Sequence, residues 1–571
     1  MQARPWIAPL LLGGSLALGG CYSDSAFLAF GVADSDSDGA AASAGDSGDP
    51  QGATSSSTGE PGDGSGSGSG GGGDTDGGST SGVGHGGSGG LPDEQAGPDL
   101  PPTIHAVTID GDSGPSVTIT SACTAQIVVD VSDDWGLAAV SIDDGAGTAV
   151  TLTAPPYAIP WMIDDVVAAE PHTIAVEVVD SRGQQASAIV DVDFELPAGG
   201  SSRWKDAGPV HYVGAVEDLA IAESGAVVAV GARALAGAHS QAVVRRLSSV
   251  SGELELDLAY PPSPTLDGDY RGAAVVVGSG GALVIAGDVT PKSEPGCPSP
   301  WVAAFTGAGE ALAERRLQQL CGRVTAAAAV VDGVIIVGQR FEPGDENEGQ
   351  AWIARLGADL SVVWERTLTP PSAHSVLHAL VVDDSDGVYT VGTRVDDDQR
   401  RILAFRLDLA GDSVWGGSLP AEEGEDAYAE AVVIGEDGEL AIGGAVDDGG
   451  GETMMIRWLS RDTGETLDQF LLPDLGAGDQ RIRALAVDAH GRIYVAGTTR
   501  DDDDVNAVVY KRSHDGGAEF WERIYDNGAS EHDRGNAIAV DPHGFVFAAG
   551  SRSVASLNVE RPRWWIEAHN P

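Results

Sequence analysis

The chain has 571 residues, of which 86 are Asp or Glu and 32 are Lys or Arg, for a formal net charge of −54. A polyanion of this size is repelled by nucleic-acid phosphates, which argues against DNA and RNA as partners. Its length allows several domains, and its composition shifts sharply along the chain.

Residues 1–21 form a short export signal. Arg4 supplies the positive start, and Trp6 to Leu18 is apolar but too short to span a bilayer. The segment ends in Leu18, Gly19, Gly20 and Cys21, which resembles the lipobox of bacterial lipoproteins. That resemblance implies cleavage before Cys21 and acylation of its thiol; the alternative is an ordinary secretory signal with an incidental Cys. Tyr22 and Ser23 follow in place of the Asp that commonly retains such proteins at the inner membrane. The implied location is the outer membrane or cell surface of a Gram-negative bacterium. Several acyl chains, at roughly 0.8 kcal/mol per buried methylene, anchor stably without a transmembrane helix, so the membrane is a partner through the lipid alone.

Residues 22–101 contain no Lys or Arg and 13 acidic residues. Runs of Gly and Ser such as 64–73 have no apolar surface to bury, so ordering entropy is not repaid and a disordered, acidic, Gly/Ser-rich tether is expected. Such a coil spans roughly 50 Å root-mean-square. Asp34, Asp36, Asp38 and Gly39 begin like a calcium loop, but Gly45 stands where an EF-hand needs Glu. This stretch reads as low complexity.

Residues 102–196 alternate apolar and polar in short runs, 127–131, 139–142 and 173–179, separated by Asp, Gly and Pro turns. That pattern predicts a β-sandwich. The stretches 132–140, 155–161 and 172–183 resemble bacterial immunoglobulin-like domains, which implies a spacer or adhesive module without an enzymatic site. Trp135 and Trp161 are candidates for sugar contact or for packing against the core or a loop.

Residues 203–571 are built from a repeat. Residues 484–497 read ALAVDAHGRIYVAG and 537–550 read AIAVDPHGFVFAAG. Each is a strand, a tight turn at Asp-x-x-Gly and a second strand closing on Gly. The closing glycines are Gly231, Gly287, Gly338, Gly392, Gly444, Gly497 and Gly550, spaced 56, 51, 54, 52, 53 and 53 residues apart. A variable loop, a third strand and often a Trp-bearing fourth strand follow. Four strands per unit and seven units predict a seven-bladed β-propeller. The last unit lacks a fourth strand, and Trp204 stands in that register ahead of the first unit, so it is expected to complete blade seven and close the ring. The repeats resemble the SBBP and delta-60 types of bacterial β-propeller, which implies a fold and a surface or secreted setting but no activity. The expected fold class is therefore all-β: a seven-bladed β-propeller (203–571) preceded by a small immunoglobulin-like β-sandwich (102–196) and a disordered tether.

No catalytic motif appears: no sialidase box, Gly-x-Ser-x-Gly elbow, His-Glu-x-x-His, Cys-x-x-Cys or phosphate loop. His374 and His378 have a helical metal spacing but lie where a strand should begin. His490 and His543 share one turn position in two units, which reads as structural. Cys297 and Cys321 fall within one repeat and could form a disulfide or remain two buried thiols; an export signal favours the bond, worth roughly 3 kcal/mol by chain entropy. Cys123 is left as a small buried residue of a strand.

One pattern departs from the repeat. Loops between second and third strands are acidic: Glu342, Asp345, Glu346 and Glu348; Asp396, Asp397 and Asp398; Asp447 and Asp448; Asp501, Asp502, Asp503 and Asp504. The connections between units share that face and are acidic too. Clustered carboxylates repel one another, so calcium or a cationic partner is the expected ligand of this face; the alternative is that the loops are simply polar. These readings point to a non-enzymatic envelope-anchored binding protein whose partner is an envelope protein or glycan. The competing class is a propeller hydrolase or lyase acting on a glycan or other extracellular polymer.

Overall fold

The computed structural model describes residues 99–571, apart from 146–148, 209–213, 235–239, 262–267, 294–295, 318–319, 344–348, 371–373, 397–398, 420–425, 448, 474–477, 502–503, 515–518, 527–531 and 557–558. The signal, Cys21 and nearly all of the tether lie outside this range. Among the described residues every extended element is a strand, and no helix is long and apolar enough to cross a membrane.

Residues 103–194 form two facing sheets. One holds Asp112–Ser113, Thr103–Ile109, Cys123–Ser132 and Ala158–Ile163; the other holds Ser116–Ile119, Gln185–Phe194, His172–Asp180, Leu137–Asp143 and Val150–Leu152. Alternate residues such as Ile127, Val140, Ile142, Ile174 and Val178 point inward and are fully buried between the sheets. Trp161 belongs to this core, at 3% exposure, whereas Trp135 stays at the surface with the Arg182 guanidinium 3.7 Å above its ring. Cys123 is buried as expected, but there is no free cysteine among the described residues, so it is not a spare thiol.

From residue 202 onward the described strands form seven four-stranded antiparallel sheets, numbered one to seven in chain order, giving an all-β, propeller-like arrangement. In sheets one to six, four consecutive strands lie side by side. Their inner strands are Val216–Ile221, Gly268–Val277, Cys321–Val330, His374–Val382, Asp426–Ile434 and Gln480–Val487. Sheet seven is discontinuous. Arg534–Val540, Val546–Ser556 and Val559–His569 are completed by Ser202–Asp206 from the other end of the chain. The inner strands of successive sheets touch, and that of sheet seven touches that of sheet one, so contacts run in a closed cycle. Buried clusters fill the gaps between neighbouring sheets.

The closing strand repeats a motif found elsewhere in the ring. The indole of Trp364 donates to the Leu409 carbonyl of the next sheet at 2.8 Å, and that of Trp415 to the Arg461 carbonyl at 3.0 Å. Trp204 does the same to Ser249 of sheet one at 2.8 Å. Each ring lies against a turn glycine with φ near +70° to +80°, namely Gly411, Gly464 and Gly252, where a Cβ would strike the indole.

Candidate functional site

Each inner strand carries a β-bulge at one recurrent place. The ladder skips Glu217, Ala273, Thr325, His378, Glu430, Arg483 and Asn536 in sheets one to seven. The closing glycine of each repeat lies opposite the residue just before the bulge. A Cβ on Gly231, Gly287, Gly338, Gly392, Gly444, Gly497 or Gly550 would collide with an inner-strand carbonyl oxygen. The repeat therefore ends on glycine because the bulged strand presses its backbone onto that position, and the bulge re-aims one side chain out of the ladder.

The re-aimed residues meet those of neighbouring sheets around the axis of the cycle. Arg483 lies 3.5 Å from Glu430, and the Arg271 guanidinium 3.6 Å from Glu217 and 3.1 Å from Asp288. Thr325 donates to the Leu377 carbonyl at 2.6 Å, and Asn536 to the Val216 carbonyl at 2.9 Å. His378 sits among Glu430 and Arg483; burial pushes its pKa below the usual histidine value, and Glu430 only partly opposes that. The sequence signal for this ring was present. In six of the repeats the bulged residue precedes the closing glycine by 14 positions, and by 13 in the third, whose turn is one residue shorter.

Above the bulges, at the end where the inner strands begin, lies a layer of ion pairs. Glu452, 8% exposed, accepts from Arg400 at 2.6 Å, Arg481 at 2.8 Å and the Tyr428 hydroxyl at 2.7 Å. Burial alone would raise its pKa, but these donors outweigh it and hold the carboxyl below its usual range. Arg400 also reaches Asp426, at 3.1 Å, and Arg500 reaches Asp479, at 3.0 Å. A disulfide between Cys297 and Cys321, with Cα atoms 4.8 Å apart, ties a loop of sheet two to the first residue of the inner strand of sheet three at this same end.

The acidic face expected from sequence is thus partly neutralised. Asp396 pairs with Arg394 at 2.7 Å, and Asp447 accepts the Gly449 amide at 2.8 Å. Asp504 is half-buried. The side chain of Asp501 and all of Asp397, Asp398, Asp448, Asp502 and Asp503 lie outside the described residues. Among the described residues no group of three acidic, His or Cys side chains is placed to hold a metal. Arg394 stands two residues before Asp396 on one strand, whereas the arginines that meet Asp426 and Asp479 lie on other strands and only the ring brings them to the same end.

The opposite end of the ring holds the short Asp-x-x-Gly turns, and two of these carry the sandwich. His543 Nε2 lies 2.8 Å from the Thr124 hydroxyl, and His490 Nε2 lies 2.5 Å from Asp164. Asp165 accepts from Arg492 at 2.8 Å and from the buried ammonium of Lys511 at 2.5 Å. Ala122 and Leu196 pack into the same apolar cluster as Phe545. The two turn histidines are therefore docking residues for the first domain, which their repeat position alone did not reveal. A cavity of about 50 Å³ under the closing strand, lined by Lys205, Tyr525, Asp533, Arg552 and Glu567, has room for little more than water.

No protein-family model matches this chain, and no curated protein is similar to it. Solved structures are similar at low identity. A protein of unknown function from Dyadobacter fermentans aligns at 10% identity and TM-score 0.40, over 65% of this chain and 98% of that one. Sqt1 from Chaetomium thermophilum aligns at 13% and 0.37, over 66% and 100%. An α-L-arabinanase from Penicillium chrysogenum aligns at 10% and 0.35, over 65% and 97%.

Proposed function

We propose that this chain is a lipid-anchored envelope protein that binds a partner, with a seven-bladed β-propeller carried on an immunoglobulin-like spacer and a Gly/Ser tether. The observation that carries this reading is the docking of the sandwich on the turn end, through Thr124, Asp164 and Asp165. An anchor at Cys21, upstream of the sandwich, then approaches the ring from the turn end. The loop end, with its channel mouth and variable loops, faces away from the membrane and is free to meet a partner. Calcium on the acidic loops around Asp396–Asp398 and Asp501–Asp504 remains a separate proposal, tested by whether calcium raises the melting temperature more than magnesium at fixed ionic strength.

Two measurements test the reading. Cys21→Ser should move the protein out of the membrane fraction and abolish acyl labelling; unchanged labelling sinks the anchor. A photocrosslinking residue at Gln399, on the loop end, should capture an envelope partner in intact cells, whereas one at Asp437, in a turn, should not. Equal capture at both positions would show that the loop end is not the binding face.

The clustering of His378 with Glu430 and Arg483 in the channel favours one second reading, a propeller enzyme acting on a glycan. Its test is depolymerisation of extracellular polysaccharides by the full chain. Cleavage that disappears in His378→Ala would establish it.

A further inference from the structure

The ring symmetry allows the arginines at its loop-end mouth to be compared, and one of them has no counterion among the described residues. Arg271, Arg323, Arg481 and Arg534 occupy the same place in sheets two, three, six and seven, two residues before the bulge, and Arg323 acts on Asp288 of the preceding sheet. Arg271 meets Asp288 across its own ladder and Glu217, the bulged residue of the preceding sheet. Arg481 meets Glu452 of the preceding sheet, with the bulged Glu430 nearby. For Arg534 the ladder partner is Ser551, and the bulged residue of the preceding sheet is Arg483. The position corresponding to Glu452, three residues before the one opposite the closing glycine, is Val505 in sheet six. Arg534 thus faces a cation and neutral groups where its equivalents face acids.

Other arginines at this mouth are already engaged. Arg483 is engaged with Glu430; Arg400 and Arg481 with Glu452 and Asp426; Arg500 with Asp479. Arg534 makes no ion pair or hydrogen bond among the described residues and is exposed at the loop end of its strand. Beside it, the Nε–H of Arg483 is buried without an acceptor. Burial, followed by repulsion from Arg483 and Arg481, lowers the pKa of Arg534, with Glu217 opposing more weakly. The exposed guanidinium of Arg534 keeps its donors free in the field of a second arginine, a site that an oxyanion would complete.

We propose that the mouth of the ring between the inner strands of sheets six and seven binds a carboxylate, held by Arg534 with the charge of Arg483 beside it. Glu217 stands close by, so a monoanion fits better than a dianionic phosphate. The carboxylate could belong to a small free acid or to an acidic sugar. This inference rests on the binding reading above and names a ligand class for it.

The test is thermal unfolding and calorimetric titration of the full chain at fixed ionic strength, with acetate, glucuronate, inorganic phosphate or chloride as the probe. Glucuronate or acetate should raise the melting temperature beyond the chloride control, and Arg534→Gln should weaken binding by about tenfold or more. Arg366→Gln, on an exposed outer strand, should leave binding unchanged. Without ligand, Arg534→Gln should melt no lower than the parent, because it removes a repulsion and no bond. Tighter binding of glucuronate than acetate assigns the sugar source; equal binding assigns the free acid. Equal effects of chloride, tighter binding of phosphate, or undiminished binding by Arg534→Gln would each overturn the site. If no carboxylate binds while the Gln399 crosslink persists, the anion site falls and the binding face stands.

Discussion

The two ends of the ring solve different problems. At the turn end the same devices recur. Asp383, Asp488 and Asp541 each accept two backbone N–H groups of their own turn, from Ser385 and Gly387, His490 and Arg492, and His543 and Phe545. Trp204, Trp364 and Trp415 each cap the next sheet's outer turn. At the loop end one backbone contact recurs: an aspartate near the start of an inner strand accepts an amide of the preceding sheet, Asp269 from Ser240, Asp426 from Arg400 and Asp479 from Glu452. The ion pairs do not recur: Glu452 holds two arginines, Arg271 holds two carboxylates and Arg534 holds none among the described residues. A tight turn imposes the same backbone demand in every repeat, so its chemistry repeats. The loop end is spared that demand, and its side chains are free to differ from sheet to sheet. The docked sandwich uses the repetitive end and leaves the variable one open.

The largest expected effect comes from breaking the device that both ends share, ring closure. Deleting 199–206 removes the fourth strand of sheet seven, the Trp204 cap and the Arg245–Asp206 and Lys205–Glu567 ion pairs. The exposed edge should drive association, seen as loss of the monomer in light scattering. A deletion mutant that stays monomeric with an unchanged melting temperature would mean that the seam contributes little.

Glycine substitutions set the two ends against each other. Gly497→Ala places a Cβ against the Arg481 carbonyl and should cost at least about 3 kcal/mol in denaturant unfolding. Gly438→Ala, in a turn at φ +77° with its nearest neighbour the flexible end of Arg461, should cost only about 1 kcal/mol. Equal costs would show that the bulge yields readily and is not what demands the closing glycine.

Asp165→Asn tests the docking. It strips Lys511, whose side chain is 1% exposed, of its carboxylate while Arg492 keeps Asp488. A loss of about 2 kcal/mol is expected, together with a larger radius of gyration as the sandwich swings free. Lys511 and Arg492 hold the Asp165 pKa below its usual value despite the opposing effect of burial. Its contribution is therefore present above the ordinary Asp range and is lost only as pH falls below it. Detachment already at pH 6 would contradict this assignment.

The smallest effect compares one carboxylate from each end of an inner-strand hairpin. Asp218 accepts the amides of Leu219 and Val275, but burial dominates and pushes its pKa up to about 6. Asp383 is also buried, yet donors from Gly387, Ser385 and Tyr389 outweigh the burial and lower its pKa. Asp218 therefore favours the fold below about pH 4 and loses that contribution as pH rises to about 6, on the order of 2 kcal/mol. Asp383 acts in the opposite sense, favouring the fold above the ordinary Asp range. Asp218→Asn should flatten stability between pH 4 and 6, and Asp383→Asn should not. If both variants keep the parent's pH profile, the difference in environment carries no energetic weight.

The periodic parts of the molecule were legible in the chain itself. Strand, turn and closing glycine recur because each obeys a local rule: alternation for a sheet edge-on to its neighbours, Asp and Gly for a tight turn, and no Cβ where a bulge presses in. Even the register of Trp204 could be counted from the glycines. The candidate site was not legible in the same way. Glu430 and Arg483 each stand 14 residues before a closing glycine, which marks the bulge, but they and Arg534 lie on three separate repeats and nothing local to any of them says that they meet. Likewise, His490 and His543 looked like turn residues because the surface they meet, around Thr124 and Asp164, belongs to another domain. Local sequence determined where the strands, turns and bulges fall, since backbone sterics and hydrogen bonding act over a few residues. Which charges face one another, and which one is left without a partner, was decided only when the inner strands met around a common axis, because Coulomb interactions depend on distance in space and not along the chain.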